Sequence, residues 1–150
     1  MKRKLKTTVY FDEHIHKSIV DSFKDLNYRC LFISKTKKYA GRDEKDYIAE
    51  IYSEGAIFVT SDLEFFEYII GNKIFHSGVV YFPSKWDDET NSFAASGMAG
   101  YLKGTIDRQG KRSLINSAFY VADDGYHLVE NGKDDLIMST DAIEIMMDSY

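Results

Sequence analysis

Acidic side chains follow two apolar segments of the chain, and a third acidic group lies between them. Asp12 comes directly after the segment VYF, and Asp62 follows the apolar segment AIFVT after one serine. Phosphodiester hydrolysis with two metal ions requires three or four carboxylates that converge on hard cations such as Mg²⁺ or Mn²⁺. The acids that such a site would draw on are Asp12, Glu44, Asp46, Asp62 and Glu64. Of these, Asp12, Asp46 and Asp62 are the predicted metal ligands.

Strands and helices alternate in the first half of the sequence, which predicts an α/β domain. Predicted strands cover Leu5–Phe11, Tyr28–Ile33, Ala56–Thr60 and Gly78–Phe82; predicted helices cover His14–Leu26, a segment from about Asp43 to Gly55, and Leu63–Ile70. Short connections between such elements indicate a central parallel sheet with right-handed crossovers. Ligands of parallel sheets bind beyond the carboxyl ends of the strands. Asp12 and Asp62 should therefore emerge at the same edge.

The second half of the sequence has a different pattern. It predicts a glycine-interrupted helix over Ser92–Ile106, a β-hairpin whose turn is Asp123–Gly125, and a short helix over Asp141–Met147. We therefore divide the chain into an α/β domain, residues 1–84, and a C-terminal α+β extension, residues 85–150. The pattern leaves open whether the extension joins the main sheet or forms its own lobe.

Each acid also has a simpler structural explanation. Asp43 and Asp62 stand where helices begin, and an aspartate there commonly caps the first turn. Capping or solvation is the better explanation of any one of them alone. Their combination at one sheet edge makes a shared site about as plausible as capping.

A basic loop lies between the second predicted strand and the next helix. Its cationic residues are Lys35, Lys37, Lys38 and Arg42. Because this loop should overhang the same edge as the carboxylates, these side chains are candidates to bind the phosphates that flank a scissile bond. A solvated polar loop is an equally good interpretation.

The composition limits the classes of protein. The net charge of −5 argues against a protein that coats nucleic acid through bulk electrostatics, although an acidic metal site is compatible with it. The single cysteine, Cys30, excludes disulfides within the chain. Apolar runs are too short for a membrane span, and the basic N-terminus lacks the apolar stretch of a signal peptide. We expect a cytoplasmic protein.

The segment GRDEKDYIAEIYSEGAIFVTSDLEFF, with VYFDEHI before it and GVVYF after it, resembles the PIN-like domains related to VapC-type toxin ribonucleases. Their pattern is an apolar strand ending in Asp, an acid that opens a helix, and a strand ending in Thr-x-Asp-x-acid-Phe. Asp12 matches the first acid, and Thr60–Phe65 matches the last motif, with Glu64 where Asp is more usual. The resemblance covers residues 7–83, about half the chain.

The resemblance implies a three-layer α/β/α fold and Mg²⁺- or Mn²⁺-dependent cleavage of RNA. Many such proteins are toxins of toxin–antitoxin pairs, so an antitoxin protein is a candidate partner, and we expect a homodimer. The helix acid stays ambiguous: counting back from Thr60 favours Glu44, whereas the run Asp-Tyr-Ile-Ala favours Asp46.

Two other functions fit parts of the pattern. A receiver-like phosphoacceptor domain also carries an acid pair after its first strand, here Asp12-Glu13, and a lone aspartate after its third, here Asp62. Lys85 is the candidate for the lysine of such domains, but it follows the fourth strand and no fifth parallel strand is predicted. A non-catalytic PIN-like binding module is the other alternative.

Overall fold

The structure, a computed structural model, describes residues 6–148. These residues form an α/β fold around one mixed sheet. The strands are β1 Thr8–Phe11, β2 Arg29–Phe32, β3 Ile57–Thr60, β4 Val79–Tyr81, β5 Ala118–Ala122, β6 Gly125–Glu130 and β7 Lys133–Ser139. The α-helices are α1 Lys17–Asp25, α2 Glu44–Ser53, α3 Leu63–Gly71, α4 Asp88–Gln109 and α5 Thr140–Asp148. The predicted elements are confirmed with small shifts at their ends; Leu5, predicted to begin the first strand, lies outside the described residues.

The strand order is β2-β1-β3-β4-β5-β6-β7. The strands β1 to β5 run parallel, and β6 and β7 continue the sheet antiparallel. The predicted hairpin is therefore present, but its first strand is a fifth parallel strand that pairs with β4. The sequence did not predict this fifth parallel strand, because the turn residues identify the hairpin and say nothing about which strand pairs with its outer edge. The segment after Pro83 thus packs on the same sheet as the first half.

Helices cover the two faces of this sheet. On one face, α1, α4 and α5 pack on alternate strand residues such as Phe11, Val59 and Phe119. On the other face, α2 and α3 pack on the residues between them, such as Phe58 and Val79. Alternate residues of a strand point to opposite faces, so strands covered on both sides are almost wholly apolar. β3 shows this most clearly, since all its residues are buried.

The crossover through α4 differs from the other crossovers. The connection from β1 to β2 runs towards the β2 edge of the sheet, and its helix α1 lies on the first face. The connections from β2 to β3 and from β3 to β4 run towards the opposite edge, and their helices α2 and α3 lie on the second face. These three connections share one hand. The connection from β4 to β5 also runs away from β2, but its helix α4 lies on the first face, beside α1. This connection therefore has the opposite hand, an exception to a rule that holds in about 98% of such crossovers.

Aspartates begin three of the helices. The side chains of Asp43, Asp62 and Asp87 accept hydrogen bonds from the backbone N–H groups of Lys45, Phe65 and Thr90. Each of these bonds pairs a helix N–H group that lacks a partner within the helix. Capping is thus one role of Asp43 and Asp62, as their positions in the sequence indicated.

A glycine lets α4 approach the sheet closely. The hydroxyl of buried Tyr126 donates a hydrogen bond to the Ala94 carbonyl, 2.7 Å away. A Cβ at Gly97 would lie 2.1 Å from the same hydroxyl oxygen. Gly97 is therefore required by packing rather than by backbone conformation.

We predict opposite effects for two glycines of this helix. Gly97→Ala should destabilise the fold by about 1–3 kcal/mol, because the added methyl must displace a buried tyrosine. Gly104→Ala is the matched control: its Cβ would meet only the mobile guanidinium of Arg108, at 3.1 Å. It should stabilise the helix by about 0.5–1 kcal/mol. Urea denaturation measures both, and equal effects of the two variants would contradict this account of the packing.

Candidate functional site

The carboxyl ends of β1 and β3 open into a cleft of about 610 Å³. β1 and β3 are neighbours at the point where the strand order reverses, which is where α/β sheets bind ligands. Three of the predicted acids, Asp12, Glu44 and Asp62, line the cleft. The remaining lining residues are Glu13, His14, Ile33, Tyr39, Gly41, Arg42, Asp43, Tyr47, Ser61 and Ser84.

Thr60 connects the two strand-end aspartates. Its buried hydroxyl donates to Asp12 Oδ2 at 3.0 Å and accepts from the Asp62 N–H at 3.0 Å. Asp12 Oδ1 accepts from the Glu13 N–H at 2.7 Å, and the Asp12 N–H donates to the Val59 carbonyl at 3.0 Å. These hydrogen bonds hold Asp12 in one orientation, and only 8% of the residue is exposed. Since each carboxylate oxygen has two lone pairs, both oxygens retain acceptor capacity.

Glu44 is the acid of α2 that faces the strand ends. Partial burial, together with the negative charges of Asp12 and Asp62, raises the pKa of Glu44 to about 7. Like charges and burial both disfavour the ionised form, so the cleft holds more negative charge than it can easily accommodate. A raised pKa of this kind is common at functional sites.

The other two predicted acids lie outside the cleft lining. Asp46, one of the predicted metal ligands, is exposed on α2, and its carbonyl accepts a hydrogen bond from Arg42 at 3.1 Å. Glu64 is exposed in the first turn of α3. The structure therefore brings Asp12, Asp62 and Glu44 together, and of the two candidate helix acids it places Glu44 in the cleft.

The four basic loop residues are not equivalent. Arg42 lines the cleft, and its guanidinium lies 2.9 Å from the Glu50 carboxylate. Lys38 pairs with Glu54 at 3.0 Å. Lys35 and Lys37 are exposed, and the ammonium of Lys35 lies 5.1 Å from the centre of the Phe32 ring. Only Arg42 lies beside the acids.

A hydrogen-bond network centred on Glu54 fixes this loop. Tyr10 donates to both carboxylate oxygens at 2.9 and 3.0 Å, and Tyr39 donates to Oε2 through a short hydrogen bond. Burial would raise the pKa of Glu54, but these donors and Lys38 outweigh it and lower the pKa. The network joins β1, the loop and the end of α2. It therefore fixes Tyr39 of the loop and the C-terminal end of α2 against β1.

Two tyrosines of the cleft wall could not be recognised from the sequence. Tyr39 and Tyr47 are both buried, and their rings lie 5.8 Å apart. Burial, and then the charges of Asp12 and Glu44, raise the pKa of Tyr47. In a chain with 11 tyrosines, no single one stands out by type or spacing.

The donor set agrees with a hard divalent cation in its chemistry, since all three carboxylates offer oxygen ligands. As the side chains stand, no three His, Cys, Asp or Glu residues within 6–148 are placed to hold a metal ion together. Cation binding therefore requires the carboxylates of this cleft to rotate towards one another.

Comparisons of the chain with protein-family models, with curated proteins and with solved structures found no match. Within residues 6–148, no helix is both long enough and apolar enough to cross a membrane. A functional proposal therefore rests on the cleft and on the sequence pattern of residues 7–83.

We predict that Glu44 of the metal-free protein titrates near neutral pH. Its carboxyl carbon should show a pKa of about 7 by NMR. Asp62→Asn should lower this pKa by about one pH unit, because a neighbouring negative charge is removed while asparagine can still cap α3. Asp87→Asn makes the same change at another helix cap outside the cleft and should leave Glu44 unaffected. A Glu44 pKa near 4.5 in the unsubstituted protein would contradict the proximity of the three carboxylates.

Proposed function

We propose that this chain is a metal-dependent ribonuclease with a PIN-like fold, whose active site is the cleft at the ends of β1 and β3. One observation carries the proposal: Asp12, Glu44 and Asp62 line the same cleft, and the charges of the two aspartates contribute to a Glu44 pKa of about 7. Carboxylates that repel one another in this way are balanced by a cation or by a shared proton.

Asp12, Asp62 and Glu44 would hold Mg²⁺ or Mn²⁺. When bound, the cation would activate a water molecule and neutralise charge on the phosphate. Asp46, the alternative helix ligand, is exposed outside the cleft, so Glu44 is the better candidate in this geometry. Glu64 would act from the rim, on a bridging water.

The chain's own residues supply positioning. Thr60 bonds to the Asp12 carboxylate, and the Asp62 carboxylate caps α3, so both side chains start from defined positions beside the cleft, from which they would turn towards a cation. Arg42 lies beside the acids and is braced by Glu50. Its planar guanidinium suits a phosphate next to the scissile bond. Lys35, Lys37 and Lys38 would extend this contact along the loop.

RNA as the substrate, an antitoxin partner and a homodimer are proposals that rest on the resemblance of residues 7–83 to PIN-like toxin ribonucleases. The cleft supports the hydrolytic part of this proposal independently, through the chemistry of its residues. The repulsion among the carboxylates of the cleft is a property of the protein alone and does not depend on which substrate binds.

A receiver-like phosphoacceptor domain is the second candidate, because the order β2-β1-β3-β4-β5 is that of flavodoxin-like folds, which include a response regulator. Asp12-Glu13 and Asp62 also stand at the expected strand ends. Against it, β5 leads through Asp123-Asp124 into a hairpin, so no lysine follows the fifth strand, and Lys85 follows β4. The ribonuclease is the better-supported function.

We predict Mn²⁺-dependent cleavage of RNA by the full chain on a mixed panel of single-stranded and structured RNAs. Asp62→Asn should lower the rate at least about a hundredfold, because loss of a ligand exceeds the ten- to hundredfold effect of residues behind the ligands. Asp87→Asn is the matched control: it makes the same change at an exposed helix cap and should retain full activity.

Two results would reject the ribonuclease. One is equal cleavage by the Asp62→Asn and unsubstituted proteins, which would indicate a contaminating nuclease. The other is no cleavage of any RNA in the panel. If calorimetry also shows no Mn²⁺ binding at millimolar concentration, the chain is a non-catalytic binding module.

We predict no phosphorylation by a small phosphodonor. After incubation with acetyl phosphate and Mg²⁺, the intact mass of the chain should not change, because the structure places no lysine at the end of β5 to stabilise an acyl phosphate. A stable phosphoryl adduct that Asp62→Asn abolishes would instead establish the receiver-like function.

A further inference from the structure

Within residues 6–148, the part of one sheet face that lies beyond α3 carries no helix. On the side of α2 and α3, the strands β5 to β7 present a surface that we call the open face, formed with the adjacent residue of β4. Its residues are Tyr81, Tyr120 and Val129, which are partly buried against the core under α3, and His127 and Leu136, which lie further from α3. A groove of about 510 Å³ runs between this surface and α3. Leu136 is 49% exposed, although it is a large apolar side chain in the middle of a strand.

The path of α4 explains why the surface is open. A crossover of the usual hand would place the helix between β4 and β5 on the side of α2 and α3. Instead, α4 packs beside α1 on the opposite side. The second helical layer therefore ends at α3, and the sheet continues beyond it by three strands.

The open face is preformed and rigid. The Tyr120 ring stacks on the His127 ring, with centroids 4.4 Å apart and planes within 7°. His127 Nε2 lies 2.7 Å from an Asp124 oxygen, and Nδ1 lies 2.9 Å from an Asp134 oxygen. Asp134 also accepts a short hydrogen bond from the Tyr120 hydroxyl. Ordering such a surface costs little when a partner binds.

The rim of the open face is acidic. Asp123 and Asp134 border the groove on the strand side, and Glu67 of α3 borders it on the other. Asp124 adds a further exposed carboxylate at the hairpin turn. This charge repels the phosphates of nucleic acids and attracts Lys and Arg side chains.

The dimensions fit one helix. From β5 to β7 the sheet is about 10 Å wide, close to the 10–12 Å diameter of an α-helix with its side chains. A second copy of this chain is a poor occupant. Two of its helices carry a large exposed apolar residue, Leu63 on α3 and Ile145 on α5, and the exposed charges of both helices are acidic: Glu64, Glu67, Asp141, Glu144 and Asp148.

We propose that the open face binds an amphipathic α-helix of another protein, with an apolar stripe against β5–β7 and Lys or Arg side chains on the acidic rim. The bound helix would continue the layer of α2 and α3. This inference does not depend on the chemistry of the acidic cleft.

Two synthetic amphipathic peptides of about 18 residues, five helical turns, test the proposal. They share one leucine stripe and carry either lysine or glutamate on the other positions. By fluorescence anisotropy, the lysine peptide should bind the full chain and the glutamate peptide should not. NMR signals of Tyr120, His127 and Val129 should shift on binding.

Leu136→Glu separates specific docking from general attraction to an acidic protein. The substitution adds negative charge, which would strengthen nonspecific binding of a cationic peptide, yet it should weaken docking at least about tenfold by breaking the apolar contact. Ile115→Glu is the matched control, since Ile115 is an exposed aliphatic residue outside the open face. It should bind the lysine peptide as the unsubstituted protein does.

Equal binding by the two variants, equal binding of the two peptides, or no binding of the lysine peptide would overturn the proposal. Self-association of the chain that Leu136→Glu abolishes would also overturn it, because the occupant would then be a second copy. Loss of RNA cleavage by Asp62→Asn bears only on the proposed ribonuclease, so the two proposals can fail separately.

Discussion

The candidate site depends on the buried contact between Asp12 and Thr60 at the ends of two neighbouring strands. β1 and β3 pair in parallel with Phe11 opposite Val59, so the next residue of each strand reaches the same edge. The Thr60 hydroxyl then fixes the Asp12 carboxylate and accepts from the backbone of Asp62. A buried carboxylate without such donors would be strongly disfavoured. The contact therefore gives the buried Asp12 side chain a hydrogen-bond donor.

The third acid is placed by a different part of the molecule. Glu44 lies in the first turn of α2, and the hydrogen bonds of Tyr10 and Tyr39 to Glu54 tie the other end of this helix to β1 and to the loop before it. Its folded pKa, about 7, is above the ordinary value of 4.5. The folded chain therefore holds this proton more tightly than the unfolded chain, and the contribution of Glu44 to stability falls as the pH rises from about 4.5 to 7. The fold thus keeps Glu44 close to Asp12 and Asp62 although their charges repel it, and such unfavourable arrangements are common at functional sites.

Much of this arrangement follows from local patterns. Apolar runs and helix caps predicted the strands and helices of the first half, and the carboxyl-end rule brought Asp12 and Asp62 together. The choice between Glu44 and Asp46 did not follow, because both lie in the first turn of α2 and differ only in which side of the helix they occupy. That side depends on how α2 packs, through Tyr47, Ile48 and Ile51, on the sheet. The Glu54 network joins residues up to 44 positions apart, which no local pattern reveals.

The placement of α4 is the feature least accessible to sequence reasoning, and it affects the whole second half. Gly97 permits α4 to pack closely on Tyr126, and alanines of the same helix, Ala95 and Ala99, are fully buried on that face. The sequence pattern predicts only that the glycines weaken this helix, whereas in the structure Gly97 lets it pack against Tyr126 of β6. Because α4 is held on the side of α1, the other side of β5–β7 meets a helix only at its border with α3, among the described residues. The packing of α4 beside α1 thus fills the core on one side of the sheet and leaves the open face on the other side.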